Sequence, residues 1–128
     1  MITGRKIAHI GIAVNDVKAD AEWYIKMLGC ETMGIFFTPN GEEVHFLKGN
    51  GVELFQPIVP VPEVLEGKID HLALESENID QDYLECQKNG CEICTDGIQS
   101  IHSFWENGIK YFKIKSPTGE EIEFCHIS

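Results

Sequence analysis

The chain is poor in positive charge. It contains one arginine, Arg5, and only 10 lysine and arginine residues against 21 acidic ones, for a formal net charge of −11. Nucleic-acid binding requires a basic surface that neutralises phosphates, so this balance argues against a nucleic-acid partner.

Long apolar runs are also missing, since none approaches the roughly 20 residues of a membrane helix. The first residues lack the apolar stretch of a signal peptide, and we therefore expect a cytoplasmic protein with no membrane partner.

Cysteines are few and odd in number, at positions 30, 86, 91, 94 and 125. In a protein that is not secreted, this predicts no disulfide framework. Cys91 and Cys94 form a C-x-x-C pair, but no second pair and no nearby histidine supports a zinc knuckle.

An internal repeat is the main positive feature of the sequence. Residues 7–12 read IAHIGI and residues 69–74 read IDHLAL, which places His9 and His71 at equivalent positions, 62 residues apart. Both segments lead into a helix-like stretch that ends in Gly-Cys-Glu. Self-similarity over such a period indicates two copies of one supersecondary unit.

The repeat also aligns two carboxylates. Residues 49–54 read GNGVEL and residues 119–124 read GEEIEF, so that Glu53 corresponds to Glu123 at an offset of 70. Two imidazoles and two carboxylates form the mixed nitrogen and oxygen set that suits a divalent metal.

Hydrophobic periodicity and turn residues predict the element order βαβββ in each half. In the first half a helix lies between the cap Asp16 and the stop Gly29. The predicted strands of this half cover residues 6–14, 31–38, 43–48 and 52–58. The second half is predicted to have strands at 69–75, 91–95, 109–115 and 120–126, with a helix at about 79–89.

These elements predict a single domain spanning residues 1–128. Module one covers about 5–58, a proline-containing linker covers 59–67, and module two covers about 68–127. Residues 96–106 are the least regular stretch, and long irregular segments often act as lids or binding loops.

The alternation of side chains predicts which face carries the four ionisable groups. Side chains alternate faces with period two. In all four strands apolar residues occupy the alternate positions: Ile10 and Ile12 with His9, Leu72 and Leu74 with His71, Val52 and Leu54 with Glu53, and Ile122 and Phe124 with Glu123. We expect all four groups to project from the sheet face opposite the helices. If the two modules curve toward each other, that face becomes a shared cavity.

Taken together, these segments make the chain resemble the vicinal-oxygen-chelate superfamily. This superfamily holds glyoxalase I, methylmalonyl-CoA epimerase, extradiol dioxygenases, fosfomycin-modifying enzymes and bleomycin-binding proteins. Besides the His9 strand, the matching segments are residues 16–17, 23–31, 52–54, 69–74 and 116–124.

The resemblance implies a fold and a site. The implied fold is α+β, with two tandem βαβββ modules forming a curved mixed sheet around a metal-containing cavity. The implied metal ligands are His9, Glu53, His71 and Glu123, holding one divalent ion such as Zn²⁺, Ni²⁺, Co²⁺ or Mn²⁺. A four-ligand His-Glu-His-Glu set is similar to glyoxalase I and close to the epimerases.

The implied activity is that of a metal-dependent lyase or isomerase of the glyoxalase type, with lactoylglutathione lyase as the nearest named reaction. A chelated 2-oxo or 2-hydroxy thiol adduct would be isomerised by proton transfer through an enediolate, with Glu123 or Glu53 as the base. The alternatives are an acyl-thioester epimerase and a non-catalytic drug-binding protein. We also expect a homodimer, with the site formed either within one chain or across the dimer.

The chain departs from glyoxalase I at a residue that contacts glutathione there. The first-histidine strand of bacterial glyoxalase I carries an arginine that helps to hold glutathione, whereas this chain has Ala13 four residues beyond His9. Arg5 and Lys6 precede the histidine and are the candidates to replace that arginine.

Overall fold

The computed structural model describes most of the chain, namely residues 2–48, 51–61, 69–115 and 121–128. Residues 62–67 of the predicted linker lie outside this part. So do residues 49–50, 68 and 116–120. The chain forms two compact units, here called the N-terminal unit (His9–Asp70) and the C-terminal unit (Met1–Ala8 with His71–Ser128).

The N-terminal unit is built on one βαβββ module. Its strand order is β2-β3-β4-β1, in which β1 runs parallel to β4 and the other two pairings are antiparallel. The elements are β1 (Ile7–Ala13), α1 (Val17–Leu28), β2 (Glu31–Phe37), β3 (Glu43–Lys48) and β4 (Val52–Phe55).

Helix α1 begins and ends where the sequence predicts. The Asp16 carboxylate accepts a hydrogen bond from the backbone N–H of Ala19 at 3.1 Å, satisfying one of the unpaired donors of the first turn. Gly29 stops the helix in a left-handed conformation with φ 70°. The inner face of the helix packs Val17 against the sheet, where Leu54 is fully buried.

The C-terminal unit repeats this plan with one addition. Its strand order is β5-β9-β8-β6, with β5 parallel to β9, and a further short strand pairs with β8. The elements are β5 (Ile69–Glu75), α2 (Ile79–Lys88), β6 (Glu92–Ile93), β7 (Gln99–Ile101), β8 (Ile109–Lys115) and β9 (Glu121–Ile127).

Helix α2 is capped in the same way as α1. The side chain of Asn78 accepts a hydrogen bond from the backbone N–H of Gln81 at 3.2 Å. Behind the helix, the rings of Phe112 and Phe124 stack with their centroids 5.0 Å apart and their planes 9° from parallel. Both rings are buried and form the core of this unit with Ile79.

The predicted α+β class with two tandem βαβββ modules is confirmed. Strand β7 is an addition that the sequence did not predict, and it lies inside the segment 96–106. The repeat offset is 62 residues at the histidines, 67 at the register partners Phe46 and Lys113, and 70 at the glutamates, so the segment with β7 accounts for only part of the change. Strand β4 ends at Phe55, earlier than the predicted 58.

Among the residues that the structure describes, no helix is long and apolar enough to cross a membrane.

Candidate metal-binding histidine–glutamate pairs

In the N-terminal unit, His9 on β1 faces Glu53 on β4. The parallel register sets Gly11 opposite Glu53, and His9 lies two residues before Gly11, so that both ionisable side chains project from the same face. The Nε2 atom of His9 is 3.6 Å from Oε2 of Glu53. Both residues are buried, with 5% and 7% of their surface exposed.

The C-terminal unit reproduces this arrangement with His71 on β5 and Glu123 on β9. Here Ala73 is the register partner of Glu123. The Nε2 atom of His71 is 3.7 Å from Oε1 of Glu123, and both residues are about 6% exposed. Each unit therefore brings together one of the two predicted histidine–glutamate pairs.

A small residue lies opposite each carboxylate. Gly11 and Ala73 add almost no side chain on the face that Glu53 and Glu123 share with them. A larger residue at either position would occupy the space beside the carboxylate. The sequence carries this signal as a small residue two positions after each histidine, a pattern that the sequence-based prediction did not use.

The apolar neighbours of these residues pack against the helices, as the alternation predicts. Leu54, next to Glu53, shares a buried cluster with Val17 of α1. Phe124, next to Glu123, shares one with Ile79 of α2. Within each unit the histidine–glutamate pair thus lies on the sheet face that does not contact the helix.

The distances within the pairs fit a shared cation. At 3.6 and 3.7 Å, each imidazole nitrogen is farther from its carboxylate oxygen than a normal hydrogen bond of about 3 Å. Two ligand atoms that each bind one ion at about 2.1 Å are separated by roughly 3.0–3.6 Å when the angle at the ion is about 90–120°. The His9–Glu53 distance is at the upper end of this range, and the His71–Glu123 distance is just above it. Buried carboxylates are costly unless they are paired or coordinate a metal.

The two pairs differ in what lies beside them. In the N-terminal unit, Phe46 is the β3 partner of Glu53, and its ring contacts the His9 imidazole edge-on at 5.2 Å between centroids. In the C-terminal unit, the corresponding partner of Glu123 is Lys113. The site face is therefore aromatic beside one carboxylate and cationic beside the other.

A third histidine–glutamate pair lies on the opposite face of the N-terminal sheet. The Nε2 atom of His45 is 2.7 Å from Oε2 of Glu43, and His45 is buried. Its register partner is Leu54, which packs toward α1, so His45 shares that face and not the face of His9. The pair forms a direct hydrogen bond, unlike the two wider pairs described above.

The only arginine of the chain is engaged away from these pairs. The Arg5 guanidinium donates to the carboxylate of Asp82 on α2, and the hydroxyl of Ser76 donates to the second oxygen of that carboxylate at 2.7 Å. The candidate role of Arg5 in holding a substrate carboxylate would require this buried network to break.

Comparisons with known proteins relate most of the chain to one family. The sequence profile of the glyoxalase/bleomycin resistance protein/dioxygenase superfamily matches residues 8–110. An uncharacterized protein, YwbC, from Bacillus subtilis (strain 168) is 28% identical over 134 residues, covering 94% of this chain and 96% of its own length.

Two solved structures share the fold. Hypothetical protein BH1468 from Bacillus halodurans C-125 superposes with a TM-score of 0.79 at 23% identity, covering 98% of this chain and 96% of its own. A variant of Streptomyces coelicolor methylmalonyl-CoA epimerase, in complex with 2-nitronate-propionyl-CoA, gives a TM-score of 0.80 at 21% identity, with 98% and 99% covered.

Proposed function

Because the chain belongs to the glyoxalase/bleomycin resistance protein/dioxygenase superfamily, we propose that it is a divalent-metal-dependent lyase or isomerase of the glyoxalase type. We further propose that His9, Glu53, His71 and Glu123 bind one metal ion. The observation that carries the proposal is the repeated placement of a buried imidazole 3.6–3.7 Å from a buried carboxylate.

The donor set fits a first-row divalent cation. Two imidazole nitrogens and two carboxylate oxygens suit Zn²⁺, Ni²⁺, Co²⁺ or Mn²⁺ better than Ca²⁺ or Mg²⁺, which prefer oxygen ligands alone. These four residues would hold the ion, which would also bind a small-molecule substrate with adjacent oxygens. The substrate we propose is a 2-oxo or 2-hydroxy compound, carried as a thiol adduct.

A divalent cation held by these residues would polarise a carbonyl and stabilise the negative charge that develops when a neighbouring C–H proton leaves. The protein supplies the base for that proton. Glu123 or Glu53 takes it from one carbon and returns it to the next, which is general acid–base catalysis by a positioned carboxylate.

Replacing the base separates proton transfer from metal binding. In Glu123→Gln the amide oxygen remains a potential ligand, but the side chain no longer accepts a proton at neutral pH. We expect metal content to be largely retained and turnover of the methylglyoxal–glutathione hemithioacetal to fall by about 10²–10⁴-fold. The measurements are metal analysis of the purified protein and the steady-state rate.

Two further variants complete this experiment. Glu53→Gln is the repeat-equivalent change, and unchanged turnover in Glu123→Gln with loss in Glu53→Gln would assign the base to Glu53. Glu43→Gln is the matched control, since Glu43 also pairs with a buried histidine but lies on the other sheet face. Turnover that survives in both site variants would contradict a carboxylate base.

An acyl-thioester epimerase is the second candidate. It is favoured by the superposition on Streptomyces coelicolor methylmalonyl-CoA epimerase over nearly the whole of both chains. Epimerisation would use both carboxylates, because one would take the proton from one face of the carbon and the other would deliver a proton to the opposite face of the same carbon. Deuterium incorporation from solvent into methylmalonyl-CoA, without activity on the hemithioacetal, would decide for this reaction.

We also propose that the chain is a homodimer. Strand β2 lies at one end of the strand order of its unit and carries three large apolar residues that are about half exposed, Met33, Ile35 and Phe37. Apolar side chains concentrated on an edge strand are typical of a surface that another chain covers.

A further inference from the structure

Helix α2 ends in a motif that brings two cysteines together. The backbone N–H of Cys91 donates to the carbonyl of Cys86 at 3.0 Å, and that of Gly90 donates to the carbonyl of Gln87 at 3.1 Å. Gly90 is left-handed, with φ 73°. These are the two hydrogen bonds of a Schellman motif, in which the side chains at the positions of Cys86 and Cys91 contact each other.

Both thiols also line one cavity of the C-terminal unit. The cavity has a volume of about 490 Å³ and is bounded by the N-terminal segment around Arg5 on one side and by Phe124 on the other. Cys86 is buried, whereas Cys91 is partly exposed. A small solute can therefore reach the pair through Cys91 and the cavity.

The first module provides an internal comparison. Cys30 follows Gly29 at the end of α1, as Cys91 follows Gly90 at the end of α2. Five residues before Cys30 the chain has Ile25, where the second module has Cys86. A cysteine after the helix stop is thus common to both modules, and a second thiol within its reach is present only in the C-terminal unit.

The C-x-x-C pair of the sequence is not the pair that the fold brings together. Cys91 and Cys94 flank the extended strand β6, and the backbone N–H of Cys94 bonds to the carbonyl of Lys113 at 2.9 Å. Three extended residues span about 10 Å, beyond the roughly 7 Å that a disulfide tolerates between Cα atoms. Cys91 therefore meets Cys86 and not Cys94.

We propose that Cys86 and Cys91 form a redox-active pair that a hydroperoxide converts into a disulfide. The Cys91 sulfur attacks the peroxide, so that an S–O bond forms, the O–O bond breaks and an alcohol or water leaves. The Cys86 sulfur then attacks the Cys91 sulfur, and the departing hydroxide leaves as water with the proton of Cys86. Two thiols and one hydroperoxide thus give a disulfide, an alcohol and water.

The two cysteines have different roles because their surroundings differ. Burial, together with the adjacent Cys91 thiol, raises the pKa of Cys86 to about 12, so that Cys86 is protonated at neutral pH. Cys91 is the more exposed of the two and is the residue that meets the oxidant. Cys86 acts second, as the resolving thiol.

Trypsin provides a direct test. Cleavage after Lys68, Lys88 and Lys110 places Cys86 on the peptide 69–88, and both Cys91 and Cys94 on the peptide 89–110. After treatment of the full-length protein with hydrogen peroxide, we expect two of the five thiols to be lost and these two peptides to be joined until a reducing agent is added.

Matched variants identify the bond. Cys94→Ser changes an exposed thiol and should leave the joined peptides unaffected, whereas Cys91→Ser should abolish them. The proposal is wrong if the two peptides of the oxidised wild-type protein remain separate, or if they are still joined in Cys91→Ser. A bond within the peptide 89–110 would assign the reactivity to the C-x-x-C pair and would also overturn it.

Discussion

Asp82 shows how much a single buried carboxylate contributes to this fold. One of its oxygens accepts from Arg5 and the other from the Ser76 hydroxyl, and the residue is only 3% exposed. In Asp82→Asn one acceptor becomes a donor that faces another donor, and the ion pair is lost. We expect the free energy of unfolding to fall by about 1–3 kcal/mol. Arg5 is one-third exposed, so solvent weakens its ion pair and places the expected loss toward the lower end of this range.

The measurement is urea denaturation of the variant and of Asp80→Asn, which changes an exposed aspartate on the same helix. The control should stay within about 0.5 kcal/mol of the wild-type protein. Equal free energies of unfolding for the two variants would mean that the hydrogen bonds of Asp82 contribute no more to stability than an exposed aspartate does.

At the scale of residues, the sequence predicted which side chains share a sheet face but not which distant side chains contact each other. His9 and Glu53 could be placed on a common face because period-two alternation is a local property of strands. The contact between Arg5 and Asp82 joins residues 77 positions apart, and no local pattern indicates it. His45 and Phe46 are neighbours on β3 and therefore lie on opposite faces of the sheet. A change of one residue in the pairing of β3 would exchange these faces, so the position of His45 depends on the register.

At the scale of elements, replacing either of two turn glycines by alanine should lower the free energy of unfolding, but by different amounts, although the two backbone conformations are nearly the same. Gly41 has φ 87° and open space around the position of a Cβ, whereas Gly108 has φ 86° and backbone atoms of residues 101 and 102 at 3.1–3.2 Å from that position. Gly41→Ala should cost about 1 kcal/mol from its left-handed backbone alone. Gly108→Ala should cost about 2–4 kcal/mol because strand β7 and the turn before β8 must also move.

Thermal or urea unfolding of the two alanine variants measures this difference directly. Each serves as the control for the other, since the backbone contribution is common to both. A difference below about 0.5 kcal/mol would show that the backbone near Gly108 relaxes without loss.

Most elements follow from local patterns, and the exceptions have physical causes. Both helices have a capping residue, an apolar stripe and a glycine stop, so their bounds are predictable within about one residue. Strand β7 spans only Gln99–Ile101, too short for alternation to be recognised, and is stabilised by pairing with β8.

At the scale of the whole molecule, the proposed site links the two halves of the sequence. If one ion is bound by all four residues, native mass spectrometry should find a dimer with one divalent ion per chain. His9→Ala and His71→Ala should each lose that ion, because the remaining ligands form a weaker site. His102→Ala, which changes an exposed histidine, should retain it.

Other masses in the native mass spectrum would contradict either the four-residue metal site or the proposed homodimer. Two ions per chain would mean that each histidine–glutamate pair binds metal independently. No ion in the wild-type protein, and no uptake on titration, would leave the non-catalytic binding protein as the better function. A monomeric mass would contradict the role proposed for the exposed residues of β2.

The sequence by itself determined the duplicated βαβββ plan and the four candidate ligands, because repeats, helix caps and strand alternation are encoded in neighbouring residues. Only the tertiary structure decided which groups meet. It paired Cys86 with Cys91 across a helix end, and it engaged the single arginine with a buried aspartate of α2. The contact between Arg5 and Asp82 depends on how elements far apart in the chain pack around a core. The contact between Cys86 and Cys91 depends on the left-handed backbone at Gly90, which turns the chain back along the helix end.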